Sequence, residues 1–397
     1  MLKVWNLVLI MLTFALTLLG TFITRSGIIQ SVHAFGVSSL GPYFLVFLGL
    51  TVLGFLGLLF ERWSRLQSEN ALEGLVSRES SFLLNNLLLA GVAFAVLWGT
   101  LLPLVAEVIS GQKIAVSAPY FNQVTGPIFL AVVLLLGVCP LLAWRRTRPG
   151  VLARHLLRPA AVGLGVAVLL FILGVRAPLP LAALAVCAIG LGTIGLEFWR
   201  AVKARRRMTG ELPWVSLGRL LRRQPRRYGG YLVHLGILLI AIGIVGSSFY
   251  QAETMASLAP GESLSLGPYT LEYVGLSSVP ARTHQKVIAT IRVYRNGRLV
   301  GALSPEKDFY PNRPEPTTEA AIRTTLLEDL YVILAYWEGT GQLASFKAVV
   351  NPLVVWIWIG GAVLVLGTLV AVWPTPRRVP AEQRYPRPVG GQVRPTA

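Results

Sequence analysis

The stretch YGGYLVHLGILLIAIGIVGSS, Tyr228 to Ser248, decides the fold class. It is apolar enough, and long enough, to cross a bilayer, because a span needs about 20 mostly apolar residues for about 30 Å of hydrocarbon. The run is interrupted by an ionisable side chain at His234. Such a residue inside hydrocarbon is rare and marks a functional position by default. On a helix, Gly230 lies one turn before it, Leu238 one turn after and Ala241 two turns after. A glycine at that distance leaves room beside the imidazole for a flat macrocycle, and Gly229 and Gly236 add smooth surface nearby. The competing reading is a histidine bonded to a neighbouring helix, with the glycines serving close helix packing. Spacing alone leaves the two even.

Seven further runs resemble this one. They cover Val4–Ile23, Tyr43–Phe60, Leu83–Leu102, Pro127–Trp144, Pro159–Gly174, Leu179–Trp199 and Pro352–Trp373, with the decisive span itself read as Tyr231–Phe249. The first lacks a small-residue cleavage site and reads as a retained helix. Of the 397 residues, 54% are hydrophobic and 14% charged, against about 25% charged in soluble domains. The formal net charge of +18 suggests nucleic acid at first sight, but its distribution excludes that. Arg62 and Arg65, Arg145 and Arg146, Arg205 to Arg207, Arg222 and Arg223, and Arg377 and Arg378 all fall on one side of an alternating topology. The short loops on the other side hold only Arg25, Lys113 and Arg176. Positive residues stay inside, so both termini are expected in the cytoplasm. The excess charge reads as a topology signal and a contact for anionic lipids.

The segment between the last two spans has another texture. KVIATIRVYRNGRLVGALS places Asn296-Gly297 between two β-rich runs, a strong hairpin signal. The expectation is an α-helical polytopic membrane protein with about eight transmembrane helices and a small extracytoplasmic β domain between the last two. In residue terms, 1–249 carries seven membrane helices with an outer histidine loop at 24–42. Residues 250–350 form the β domain, 351–373 the last membrane helix, and 374–397 a disordered basic cytoplasmic tail rich in Pro and Gly.

Three other histidines complete the set. His33, in GTFITRSGIIQSVHAF (Gly20 to Phe35), lies in a loop tethered by two spans on the outer side. A partly exposed neutral imidazole there can be an axial ligand of haem iron or a ligand of another metal; an interfacial histidine with no ligand is the plainer reading of spacing alone. His155 belongs to a basic cytoplasmic loop. His284, in ARTHQKV, has no partner nearby in the sequence. Cys139 and Cys187 sit in apolar runs with no paired or zinc-like spacing. There is no GxSxG, HExxH or phosphate-loop motif. Glu328-Asp329 carry no mark of a paired acid and base.

GTFITRSGIIQSVHAF resembles the signature loop of the CcmF family, the membrane core of the system I haem lyase for c-type cytochromes and part of the wider CcmF/CcsA group. SRESSFLLNNLLL, WGTLLPL, PYFNQVTGPI, YGGYLVHLGI, FYPNRPEPTTEAAI and VNPLVVWIWIGG extend the resemblance in family order over nearly the whole chain. It implies a cytochrome c-type biogenesis protein of the bacterial inner membrane that helps attach haem to CXXCH motifs of apocytochrome c. It implies His33 as an axial ligand of the substrate haem and His234 as an axial ligand of a resident haem b, both through the iron.

The family's tryptophan-rich WWD loop and the first histidine of each pair lie upstream of TRSG. The resemblance therefore implies a C-terminal part of the pattern, from a split gene or from a reading frame begun at an internal Met. Such a part would be a subunit or fragment of a haem lyase, not active alone. Implied partners are apocytochrome c, a WWD-bearing N-terminal half or other haem lyase subunits, and a haem chaperone; no nucleic acid is among them. A self-pair of His33 with His234 is excluded, since they lie near opposite faces of a bilayer about 30 Å thick. Two other readings stay open: a haem transporter or channel, and an assembly scaffold whose chemistry lies on a separate N-terminal half.

Overall fold

The computed structural model describes residues 3–26, 40–66, 74–112, 114–313 and 315–374. Its helices in chain order are α1 (Lys3–Ser26), α2 (Gly41–Glu61), α3 (Trp63–Leu66), α4 (Arg78–Ser110), α5 (Ala118–Val138), α6 (Pro149–Ile172), α7 (Pro178–Thr209), α8 (Pro213–Arg223), α9 (Pro225–Phe249) and α10 (Val355–Val372). Eight of these, all but α3 and α8, are long and apolar enough to cross a membrane. The β domain lies between α9 and α10, so the architecture is a polytopic helical membrane protein with a β domain before its last helix.

The fourth expected span needs correcting. It begins at Ala118, not Pro127, and its α-helix ends at Val138, followed by a 3-10 turn over Cys139–Leu141. Pro127 lies inside the helix. In lipid, neighbouring helices re-satisfy the backbone groups that an interior proline frees, so this proline does not mark a helix start. Pro159 likewise lies inside α6, which starts ten residues earlier at Pro149.

The chain divides into two compact units at Leu156/Leu157. In the first, α1 packs on α2 and α4 on α5. Ser77 caps α4 by accepting a hydrogen bond from the Ser80 amide at 3.1 Å, satisfying one of the orphan donors of the first turn. A side chain on Gly99 would strike the rings of Tyr120 and Phe121, which is how α4 and α5 approach closely.

The second unit contains the β domain and the helices that hold it. Its strands are β1 (Ala252–Leu258), β2 (Ser263–Leu266), β3 (Tyr269–Pro280), β4 (Gln285–Arg295), β5 (Arg298–Leu303), β6 (Glu306–Phe309), β7 (Thr317–Glu319), β8 (Ala321–Thr324), β9 (Glu328–Glu338) and β10 (Leu343–Pro352). One sheet has the order β1-β10-β9-β8. The other runs β2-β3-β4-β6-β7, with β5 pairing β4. The β4–β5 hairpin turns at Asn296 and Gly297, both with positive φ (50° and 77°), as the Asn-Gly pair requires. Alternate residues Leu330, Val332 and Leu334 of β9 are fully buried against Leu271, Tyr273, Ile291 and Val293 of the other sheet. This period of two makes the domain a sandwich with one apolar core.

The pairing of β1 with β10 fixes the helices that flank them. Ala252 opposes Val350, so the chain leaves α9 and returns to α10 at neighbouring points. The two helices then pack along their length through glycines. Gly229, Gly236, Gly243 and Gly246 of α9 meet Ala371, Gly360 and Leu364, Ile357 and Leu353. Gly360 and Gly367 meet Gly236 and Ile240, and Leu232 and Val233, in return. Small residues at such a seam let two backbones approach in lipid, where no hydrophobic force drives helices together.

Candidate functional site

The α9–α10 seam corrects one sequence expectation. Gly229 and Gly236 are not smooth surface beside His234; they are buried against α10. His234 is two residues from Gly236, about 200° round the helix, and so faces away from that seam. A third face of α9 meets α7. There Leu238 is fully buried and fills the space over Gly190, and the Tyr228 and Tyr231 rings pack on Phe198 at 5.4 and 5.9 Å.

Gly230 and His234 lie one turn apart at the edge of that face, away from α10. Among the described residues, a Cβ at Gly230 would meet no atom within 4 Å, unlike the packed glycines one residue before and six after it. His234 is half-buried, and its Nδ1 is buried with no hydrogen-bond partner among the described residues. The helix-packing alternative therefore holds for Gly229 and Gly236, whereas His234 bonds to no neighbouring helix through Nδ1. A buried unpaired polar atom costs about 1–3 kcal/mol, which makes it a position worth explaining. An imidazole beside an open wall, held on a helix fixed by two neighbours, is able to ligate the iron of a flat macrocycle standing against Gly230.

His33 lies outside the described residues, as do the tail residues 375–397. The short ends of its loop are described: α1 continues through Ser26 and α2 begins at Gly41.

Two groups escaped the sequence reading. Glu197 of α7 accepts from Arg227 Nη2 at 2.9 Å and from the Tyr231 hydroxyl at 3.3 Å. Arg227 Nε also donates to the Tyr231 hydroxyl at 3.3 Å, and Arg200 lies 3.6 Å from the same carboxylate. The available signal was that Glu197 is the sole acid in the α7 sequence. The second group corrects the expectation for His284. Its Nε2 lies 3.2 Å from Asp308 Oδ2, out of hydrogen-bond alignment, and its ring stacks on Tyr310 at 4.5 Å. Those partners arrive by β4–β6 pairing, from more than twenty residues away.

In the β domain, Glu328 and Asp329 point to opposite sides of β9, as neighbours in a strand must. Glu328 Oε1 accepts from Tyr269 and Arg295 at 3.0 and 2.9 Å. Asp329 is 3% exposed, and burial raises its carboxyl pKa. They form no acid–base pair.

Residues 249–352 match the model of the CcmF C-terminal beta-sandwich. The chain is 33% identical to the cytochrome c-type biogenesis protein CcmF of Escherichia coli over 372 residues, covering 94% of this chain and 55% of that one. It is 34% identical to the cytochrome c-type biogenesis protein CycK of Rhizobium meliloti over 385 residues, covering 96% and 56%. A solved structure of the cytochrome c haem lyase CcmF superposes with a TM-score of 0.73 at 29% identity, over 93% of this chain and 55% of that chain. The chain is CcmF-like along nearly its whole length. It spans about half the length of these relatives. The sandwich corresponds to the C-terminal domain of that family.

Proposed function

We propose that this chain serves cytochrome c biogenesis as part of a haem lyase in the bacterial inner membrane. It would position haem for thioether attachment to CXXCH of an apocytochrome c. The observation that carries the reading is the α9 face: a buried imidazole nitrogen without a partner among the described residues, beside a glycine with open space around it among them. These residues fit one axial ligand and one flat wall for haem b. When bound, that group would supply an electron to the substrate iron.

The chain's own residues do the holding. His234 offers its imidazole from α9; Gly230 keeps the wall clear; the glycine seam with α10 and the aromatic contacts with α7 fix the helix that carries both. Outside the membrane, His33 would ligate the substrate haem and present one edge of the ring. Each incoming cysteine thiol then adds across a vinyl group: the C–S bond forms at one vinyl carbon and the proton is delivered to the other, with no net oxidation. Placement is the protein's contribution to such a step. The β domain is read as extracytoplasmic and as a docking surface for apocytochrome or a partner subunit, with both termini in the cytoplasm. The remaining axial ligands and the WWD loop would come from a WWD-bearing N-terminal half, in keeping with the half-length coverage of the relatives.

Coexpression with such a polypeptide and an apocytochrome tests the reading. His33→Ala should stop cytochrome maturation while leaving b-type haem absorbance of the complex intact. His234→Ala should abolish that absorbance. Normal maturation with His33→Ala would remove the outer ligand role, and unchanged spectra with His234→Ala would remove the inner one.

A further inference from the structure

Arg227 and His234 are seven residues apart on α9, and the inference drawn from this rests on the haem reading above. Seven residues return to within about 20° of the same face and rise about 10 Å. That rise matches the reach of a porphyrin standing along the helix, from its iron to the carboxylates of its propionates. Haem carries its charge at one edge, and charge in hydrocarbon is costly. The propionates must therefore turn to the nearer membrane surface. From His234 the nearer end of α9 is its start at Pro225, where Arg227 stands.

The Arg227 side chain is already aimed and still accessible. Its Nη2 donates to Glu197 at 2.9 Å and its Nε to the Tyr231 hydroxyl at 3.3 Å. Neither bond uses Nη1, and the side chain is 54% exposed. Glu197 is shared by Arg227 and Arg200, so one carboxylate faces two guanidinium groups and the cluster keeps a net positive charge. We propose that Arg227 binds a propionate of the haem on His234, with Glu197 and Tyr231 holding the guanidinium in place. Guanidinium–carboxylate pairs are among the stronger charge-assisted bonds and reward this preorganisation.

The test is a cycle between side chain and propionate. The assembled membrane complex is stripped of haem and titrated with haem b or with its dimethyl ester, following the Soret band. The parent should bind the ester about tenfold or more weakly than the free acid, the worth of one charged hydrogen-bonded pair. Arg227→Gln should bind both alike. Glu197→Gln, which breaks the α7–α9 contact but keeps the guanidinium, should still discriminate; a purely structural role for Arg227 would make the two variants behave the same. If Arg227→Gln discriminates as the parent does, the proposal is overturned. If Arg227→Gln does not accumulate, Arg227→Lys takes its place: weakened discrimination supports the proposal, and undiminished discrimination overturns it. His234→Ala separates the two readings. Retained haem binding there sinks the haem site itself, whereas its loss alongside unchanged discrimination in Arg227→Gln removes the clamp alone.

Discussion

Gly236 and Gly360 face each other across α9 and α10, each in the place where a side chain would strike the other's backbone. A Cβ on Gly236 would lie 2.7 Å from the Gly360 carbonyl oxygen, and one on Gly360 would lie 2.6 Å from the Gly236 carbonyl oxygen. Both obstacles are backbone, so no rotamer change relieves them.

Gly236→Val should therefore push α9 off α10 and destabilise the protein by about 1–3 kcal/mol or more, the cost of overpacking a filled contact. Gly361→Ala is the control, because a Cβ there meets nothing within 4 Å among the described residues; it should stay within about 0.5 kcal/mol of the parent. Thermal melts in detergent compare the two. Equal melting points would mean that the seam is not close-packed.

Tyr273 is fully buried in the sandwich and donates its hydroxyl proton to the Gly341 carbonyl at 3.0 Å. Tyr273→Phe keeps the ring but leaves that carbonyl unpaired. A loss of about 1–3 kcal/mol follows, measurable by denaturant unfolding of the full chain. Phe346, packed at a tilt against the same ring with centroids 5.0 Å apart, should cost about 3–5 kcal/mol when changed to Ala.

Asp329 gives a pH dependence. Its carboxyl is buried, Oδ1 has no hydrogen-bond partner among the described residues, and burial raises its pKa. The folded state thus holds its proton more tightly than the unfolded state does. As pH rises from the ordinary carboxylate range through the raised native value, the unfolded chain has already released that proton, and stability is lost. Asp329→Asn removes this loss. The variant should be the more stable at neutral pH, with its advantage shrinking as the solution is acidified. An advantage that grew in acid would have the sign wrong.

Much of this fold was legible because membrane helices announce themselves by length and apolarity, and Asn296-Gly297 by its turn chemistry. Boundaries were less so. Pro127 and Pro159 read as helix starts, yet both lie inside helices, since in lipid a proline's orphaned carbonyl finds other partners. The site was half legible. His234 stood out as an ionisable group in an apolar run, but which of the glycines near it pack against α10 was not visible. Gly229, Gly230 and Gly236 look alike in sequence and are divided only by the direction of α10, which β1–β10 pairing fixes some hundred residues away. The Glu197–Arg227–Tyr231 cluster and the His284–Asp308 approach depend on such long-range pairing too.

The central claim is that the open wall at Gly230 takes the face of a haem ligated by His234. Its most direct measurement is the ratio of b-type haem absorbance to protein in the purified complex carrying Gly230→Leu. Among the described residues no atom lies within 4 Å of the position its Cβ would take, so the variant should fold and melt like the parent. The account predicts that it does so with its haem largely lost. A Gly230→Leu protein with parental haem content would contradict it.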